Sequence, residues 1–311
     1  MLKSVGAALV AAMLALPVAA QTLRPDQAQF RALYKELVET NTTHSTGNCT
    51  LAAQRMAGHL KTAGFADADL NVFVPPGFPL DGGLIATLHG SDPKAAAIIL
   101  LAHLDVVEAK REDWTRDPFV LIEENGNFYG RGTIDDKSQA AIFTDSMARL
   151  KAKKPPLRTI KLVLSCGEES GARINNIRWL IDNHRDWLNA AFALNEGGGG
   201  TLNAQGKPQT LGFQAGEKVS QNFRIEATNP GGHSSMPRPD NAIYDLSRGL
   251  IGLADHDFPV QFNDTTRGYF GAMAGIVGGD TGKAMTALLA NPQDAAADAI
   301  VSKNAAWHSM L

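Results

Sequence analysis

The chain has 311 residues, of which 44% are hydrophobic, so it is long and apolar enough to bury the core of one large domain or two modest ones. Its 29 basic and 32 acidic residues are mixed along the chain and give a net charge of −3. Because no basic patch is present, we expect neither a nucleic-acid partner nor attraction to an anionic membrane surface.

Residues 1–20 have the features of a secretory signal peptide: a basic start, a short apolar run and small residues at the end. Cleavage is expected between Ala20 and Gln21, which predicts a periplasmic or secreted protein. A membrane anchor is the alternative interpretation. It is disfavoured because the apolar run is shorter than the roughly 20 residues that a spanning helix needs.

The next part of the chain alternates helical and strand-like patterns, which indicates an α/β domain. Asn48 is a candidate N-cap, and the run 96–103 is apolar almost throughout, as in a strand buried on both faces. The predicted elements are, in order, helices over 25–40 and 49–63, strands over 70–74, 84–88 and 96–103, a hairpin over 118–129, a helix over 137–152, a strand over 159–165, a helix over 172–186 and a strand over 190–194.

The character of the sequence changes around residues 206–216, where a second domain is expected to begin. A new strand is predicted over 219–228 and a helix over 241–254. These patterns divide the mature chain into residues 21–215 and 216–311.

Side chains that suit metal binding follow the predicted strands. In an extended segment His103 and Asp105 lie on one face, because side chains alternate with period two. His103 can then bind a metal through one ring nitrogen while Asp105 accepts the other N–H, which fixes the tautomer. A histidine that ends an apolar strand is more often an ordinary core residue, so the interpretation depends on the carboxylates that accompany it.

Four further carboxylates lie at comparable positions in the chain. Asp135 follows a Gly-Arg-Gly turn before a predicted helix, and Glu196 follows the strand over 190–194. Adjacent Glu168 and Glu169 point in different directions, so one can bind a metal while the other faces an attacking water. Several converging carboxylates are costly to bury without cations, so together they predict a two-metal site.

These segments resemble the di-zinc metallopeptidases that include aminoacylases, acetylornithine deacetylase, succinyl-diaminopimelate desuccinylase and glutamate carboxypeptidases. The resemblance covers roughly residues 30–250 and is greatest to the branch of carboxypeptidases and N-acyl-amino-acid hydrolases. The motifs, in the family's order, are Leu-Ala-His-Leu-Asp-Val-Val at 101–107, Asp-Trp at 113–114 with Asp-Pro-Phe at 117–119, Tyr-Gly-Arg-Gly-Thr-Ile-Asp-Asp-Lys at 129–137, Cys-Gly-Glu-Glu-Ser at 166–170, Leu-Asn-Glu-Gly-Gly at 194–198 and Asn-Pro-Gly-Gly-His-Ser-Ser at 229–235.

The resemblance implies a zinc-peptidase-like three-layer α/β/α catalytic domain with an inserted ferredoxin-like lid, through which two chains form a homodimer. It implies two Zn²⁺ ions, for which Co²⁺ or Mn²⁺ can substitute. The expected substrate is a small peptide or an N-acyl amino acid, cleaved next to a free carboxylate.

The same resemblance assigns roles to individual residues. His103, Asp135 and Glu196 would hold one metal; Asp135, Glu169 and a further histidine would hold the other, with Asp135 bridging. Asp105 would orient His103, and Glu168 would be the general base that activates the metal-bridged water. The resemblance aligns the family's bridging ligand with Asp135, so Asp136 is expected to be the less important aspartate. It also implies a cis peptide after Asp135.

His233 is either an ordinary loop histidine or, as the resemblance implies, a donor that reaches a partner subunit's active site and stabilises the developing oxyanion. The family's last histidine ligand has no match in this sequence, since the context of His308 differs. We therefore expect a truncated version of a longer protein, and the alternative to an active hydrolase is a non-catalytic fragment or a one-metal binding protein of the same fold.

Three other features have less specific interpretations. Cys49 and Cys166 can pair in an oxidising compartment. We prefer the interpretation that they are two small, buried apolar side chains. A serine or cysteine hydrolase at 165–166 is disfavoured, because neighbouring carboxylates would raise a thiol's pKa. Arg131 and Lys137 are expected to be structural charges that pair with nearby carboxylates.

Overall fold

A computed structural model describes residues 23–169, 174–219 and 221–311. The signal peptide predicted at 1–20 and the first residues of the helix predicted over 172–186 lie outside the described residues. The chain forms two compact units, Met1–Glu196 and Gly197–Leu311. This division lies before the boundary predicted at 216, because a short hairpin belongs to the second unit.

The first unit is a mixed α/β structure, and its elements match the predicted order. Asn48 accepts the N–H of Leu51, as expected of a helix N-cap. Its helices and strands are α1 (Pro25–Val38), α2 (Cys49–Thr62), β1 (Leu70–Phe73), β2 (Gly83–Leu88), β3 (Ile98–His103), β4 (Ile122–Glu124), β5 (Asn127–Tyr129), α3 (Lys137–Lys151), β6 (Ile160–Ser165), α4 (Asn176–Asn183) and β7 (Phe192–Leu194).

Five of these strands form one mixed sheet in the order β1-β2-β6-β3-β7. The pairs β1–β2 and β2–β6 are antiparallel, whereas β3 is parallel to both β6 and β7. The register of β3 and β6 places His103 opposite Ser165. The carboxyl ends of three neighbouring parallel strands therefore meet at one edge of the sheet.

Alternating side chains bury both faces of this sheet. Leu84, Leu100 and Leu162 pack with α1, α2 and α3 on one face. Ile85 and Val163, each one residue further along its strand, pack with residues of α4 on the other. Helices thus cover both faces, which confirms the predicted α/β class.

The second unit contains one hairpin and several helices. A small core forms around Phe270, Met285 and Leu288, whereas the helix over 242–254 has no buried residue. Its elements are β8 (Gly199–Leu202), β9 (Pro208–Gly212), α5 (Ala242–Ala254), α6 (Asp264–Val277), α7 (Gly279–Ala290), α8 (Ala295–Val301) and α9 (Ala305–His308).

The strand predicted over 219–228 is wrong for the described residues of that range, which have no regular structure. An isolated strand leaves its backbone hydrogen bonds unpaired, and the two described strands of this unit, β8 and β9, pair with each other and not with this segment. The ferredoxin-like lid therefore remains a prediction.

Among the described residues, none of the helices combines the length and the apolar character that crossing a membrane requires.

Candidate metal centre

The strand ends bring the predicted side chains together in the first unit. His103 is the last residue of β3, Glu168 and Glu169 follow β6, and Glu196 follows β7. Asp135 reaches the same edge from the loop before α3. Because the three strands are parallel neighbours, their C-terminal extensions lie side by side, which is where open α/β sheets carry their sites.

His103 is the buried centre of this cluster, with 3% of its surface exposed. Its Nε2 lies 3.0 Å from Asp135 Oδ1, 3.6 Å from Glu196 Oε2 and 3.9 Å from Glu168 Oε2. Burial alone would disfavour the charged imidazolium. Asp105, Asp136 and Glu196 outweigh burial and raise the pKa of His103 to about 10, so the site favours positive charge at this point.

The other ring nitrogen of His103 contacts Asp105, but through a different oxygen than expected. Nδ1 lies 2.9 Å from the main-chain oxygen of Asp105 and 3.6 Å from its carboxylate. That carboxylate instead accepts the N–H groups of Glu168, at 3.3 Å, and Glu169, at 2.9 Å. Although burial opposes it, these bonds and His103 lower the pKa of Asp105. Asp105 therefore holds the backbone of the glutamate pair.

The two aspartates after the Gly-Arg-Gly turn face different surroundings. Asp135 exposes 60% of its side chain, whereas Asp136 is buried and accepts the main-chain N–H of His103 at 3.3 Å. Burial and the neighbouring carboxylates raise the pKa of Asp136 to about 7. The peptide bond between them is cis. Asp136 thus holds the main chain at His103, a contact that the sequence did not predict.

The glutamate pair follows a turn that requires glycine. Gly167 has φ +86°, and a side chain there would collide with the main-chain oxygen of Ile174. Both glutamates have raised pKa values, first because of burial and then because of the carboxylates beside them. His103 opposes this effect at both residues.

Two groups of side chains offer ligand atoms within 4.8 Å of one another: His103 with Asp135 and Glu169, and His103 with Glu168 and Glu196. The ion pairs described for Asp135, Glu168 and Glu196 all go to this one imidazole. Nitrogen and carboxylate oxygen donors suit Zn²⁺, so the donor set fits the predicted metals. The grouping differs from the expected one, since Glu168 lies with potential ligands.

His233 belongs to the second unit and to neither of these groups. It lies in an exposed loop, where its Nδ1 is 2.8 Å from Ser235 Oγ. Its role as an oxyanion donor remains a prediction.

Two predicted ion pairs have other partners. The Lys137 amine is fully buried and donates to the main-chain oxygens of Thr40, at 2.7 Å, and Val38, at 3.4 Å. Arg131 donates to the main-chain oxygen of Glu108 and lies over the Trp114 ring. Both side chains stabilise loops around the site. Their described contacts are with main-chain oxygens and an aromatic ring, so the expectation that they pair with carboxylates is corrected.

Cys49 and Cys166 form a buried disulfide, which corrects the preferred interpretation of two unpaired residues. The sequence does not decide this pairing, because no local pattern indicates a contact between residues 117 positions apart. Their spatial neighbours include Asp105, whose carboxylate lies within 4.8 Å of ligand atoms of both cysteines.

Curated proteins similar to this chain share its central part. The N-fatty-acyl-amino acid synthase/hydrolase PM20D1 of Homo sapiens is 33% identical over 185 residues, which cover 58% of this chain and 36% of that protein. A probable succinyl-diaminopimelate desuccinylase of Staphylococcus aureus (strain Mu50 / ATCC 700699) is 31% identical over 166 residues, covering 51% of this chain and 37% of its own. The chain thus spans little more than a third of the length of these relatives.

Solved structures match at lower identity. The M20 family metallo-carboxypeptidase of Sulfolobus solfataricus is 23% identical with a TM-score of 0.47, over 58% of this chain and 39% of that chain. Human carnosine dipeptidase 1 is also 23% identical, with a TM-score of 0.44 over 54% of this chain and 38% of its own. The model of peptidase family M20/M25/M40 matches residues 99–295, more than half of the chain and every residue of the metal centre. The chain therefore belongs to peptidase family M20/M25/M40.

Proposed function

We propose that this chain is the metal-binding part of a secreted hydrolase that cleaves a peptide or N-acyl amide bond next to a free amino-acid carboxylate. The observation that carries the proposal is the convergence of His103 and four carboxylates on one edge of the sheet. Family membership supports the hydrolytic class. The names of similar proteins, an acyl-amino acid hydrolase and a desuccinylase, support the amide substrate.

Two divalent cations, normally Zn²⁺ and alternatively Co²⁺ or Mn²⁺, would be held by His103, Asp135, Glu169 and Glu196. Bound there, they would supply Lewis acidity that polarises the scissile carbonyl and lowers the pKa of an attacking water. The chain's own contribution is to fix the donors: Asp105 holds the ring of His103 through its main-chain oxygen, and Asp136 holds the main-chain N–H of His103.

Glu168 is the general base of the proposed reaction. Its side chain is 53% exposed, so water and substrate can reach the carboxylate, while Asp105 holds its backbone N–H. It takes a proton from the attacking water and delivers it to the leaving amine, a role worth about 10²–10⁴-fold in rate.

An assay of the purified chain with added Zn²⁺ tests this function. Dipeptides and N-acyl amino acids with a free C-terminal carboxylate should be hydrolysed, and the matched C-terminal amides should not. Equal hydrolysis of acids and amides would contradict carboxylate recognition. No hydrolysis of either set by zinc-loaded protein would contradict the enzyme assignment for this chain.

A one-metal, non-catalytic protein of the same fold is the second candidate function. It is favoured by one observation: both ligand groups share a single imidazole, His103. Metal analysis of the zinc-saturated chain separates the two candidates. Two zinc ions per chain with amide hydrolysis support the enzyme, and one ion without hydrolysis supports the alternative.

We further propose export with cleavage between Ala20 and Gln21, and a homodimer formed through residues 216–311. The mass of the protein purified from its natural source tests export. A mass that still includes residues 1–20 would contradict cleavage. The mass of the chain in solution tests the dimer, and a monomer at micromolar concentration would contradict it.

A further inference from the structure

A disulfide lies next to the glutamate pair in the chain. It joins Cys49, the first residue of α2, to Cys166, which follows the last residue of β6 and precedes Glu168 by two positions. Both cysteines are buried, at 2% and 4% exposure. The bond closes a sequence separation of 117 residues, so it connects two parts of the fold that the local chain does not hold together.

The Cys49 end of this bond is firmly anchored. Thr50, the next residue, donates its N–H to Leu80 O at 3.1 Å and its hydroxyl to Pro79 O at 2.8 Å. The same hydroxyl accepts the N–H of Gly82 at 2.8 Å. The start of α2 is therefore tied to the loop before β2.

The Cys166 end of the bond lies two residues before Glu168, the proposed general base. After the glycine turn at residue 167, the N–H groups of Glu168 and Glu169 donate to the Asp105 carboxylate. That carboxylate also lies within 4.8 Å of ligand atoms of both cysteines. The segment 166–169 is thus held by the disulfide at Cys166, by two N–H bonds to Asp105, and by bonds from the start of α4 to the main-chain oxygens of residues 166 and 167, at 2.9 and 3.1 Å.

We propose that the Cys49–Cys166 disulfide is a positioning element for Glu168. The inference rests on the proposed function, because it concerns the placement of the general base. Besides hydrogen bonds, which open and close, the segment has one covalent cross-link to the rest of the fold, and this disulfide fixes residue 166 relative to α2. An error of about 1 Å in the position of a reacting group can cost about 100-fold in rate.

The test is the double variant Cys49→Ala/Cys166→Ala, with Leu60→Ala as matched control. Leu60 is a fully buried residue of the same helix and the same core, so its truncation disturbs that core and leaves the disulfide in place. We expect the double variant to lose about 10- to 100-fold in kcat, with KM and zinc content unchanged. The control should keep its kcat, although both variants unfold at lower urea concentration.

Amide hydrogen exchange provides a readout that does not depend on turnover. The N–H groups of Glu168 and Glu169 should exchange faster in the double variant and remain protected in Leu60→Ala. Exchange and kcat equal to those of the control would overturn the proposal. A wild-type protein without hydrolysis would contradict the proposed function, while the exchange comparison would still decide the role of the disulfide.

Reduction of the wild-type protein covers the case in which the double variant does not fold. A water-soluble phosphine reduces the bond by the reaction R₃P + RSSR + H₂O → R₃P=O + 2 RSH, which leaves two thiols. We expect kcat to fall on reduction and to return when the thiols are reoxidised by a disulfide reagent. Unchanged kcat in protein whose thiols are shown to be free would overturn the proposal.

Discussion

The candidate metal centre has a buried half and an exposed half, and the side chains of the two halves have different expected roles. His103, Asp105, Asp136 and Lys137 are buried, and the main chain satisfies much of their hydrogen bonding. Asp135 and Glu168, by contrast, expose 60% and 53% of their side chains. Burying a charge is costly unless it is paired, so the buried groups are held by hydrogen bonds and neighbouring charges, whereas Asp135 and Glu168 remain reachable by ions and substrate.

This comparison predicts that changes at the exposed carboxylates alter activity or metal binding, whereas changes at buried side chains that are not proposed ligands, such as Lys137 and Tyr34, chiefly alter stability. Four measurements test the distinction.

The largest effect is expected for Glu168→Gln, which removes the proposed base and keeps the size of the side chain. We expect kcat to fall by about 10²–10⁴-fold, with zinc content unchanged and the free energy of unfolding within about 0.5 kcal/mol of the wild type. Glu112→Gln, at an exposed acidic residue of a short 3₁₀ turn, is the control. Zinc loss in Glu168→Gln would show that residue 168 is a ligand.

Lys137→Met probes the buried half through the pH dependence of stability. Burial lowers the pKa of Lys137 from 10.5 to about 7, so between these values the unfolded chain binds more protons than the folded chain. The wild type should therefore gain stability relative to the variant as the pH rises from 7 to 10. The gain should reach a few kcal/mol, at about 1.4 kcal/mol per pKa unit.

Urea unfolding of metal-free protein at several pH values measures this difference. Parallel stability profiles for wild type and Lys137→Met would mean that the amine has an ordinary pKa in the folded chain.

Metal binding should stabilise the folded chain through His103 and the carboxylates grouped with it. Zinc at 100 times its dissociation constant is expected to raise the free energy of unfolding by about 2.7 kcal/mol. Glu169→Gln should shrink this increment and reduce the zinc content, because Glu169 belongs to one ligand group. Glu112→Gln again serves as control. An increment that is the same in all three proteins would place the bound zinc elsewhere.

The smallest effect is expected for Tyr34→Phe. The Tyr34 hydroxyl donates to Thr133 O at 2.5 Å, two residues before Asp135, and burial raises its pKa to about 12. Losing this bond should cost about 1 kcal/mol of stability with little change in zinc content. Tyr244→Phe, in the exposed helix α5, should cost less. A large loss of zinc in Tyr34→Phe would give this buried residue a direct role in metal binding.

Local patterns predicted most of the first unit. The bounds of α2 and α3 agree with the sequence within about one residue, because apolar spacing and an Asn cap are local properties. Two elements show the limit. The helix predicted over 172–186 is described only as α4, Asn176–Asn183, with a short 3₁₀ turn after it. The strand over 219–228 did not form because strands depend on partners that a local pattern does not supply.

The sequence by itself identified the side chains that the structure brings together, because each stands at a recognisable place: His103 ends a strand, and Asp135, Glu168, Glu169 and Glu196 each follow a strand or turn. Tertiary structure decided how they are held. It buried Asp136, directed the Asp105 carboxylate to the glutamate N–H groups and paired two cysteines far apart in the chain. The reason is physical: residue type and periodicity act over a few positions, whereas burial, charge and covalent pairing depend on which surfaces the folded chain brings into contact.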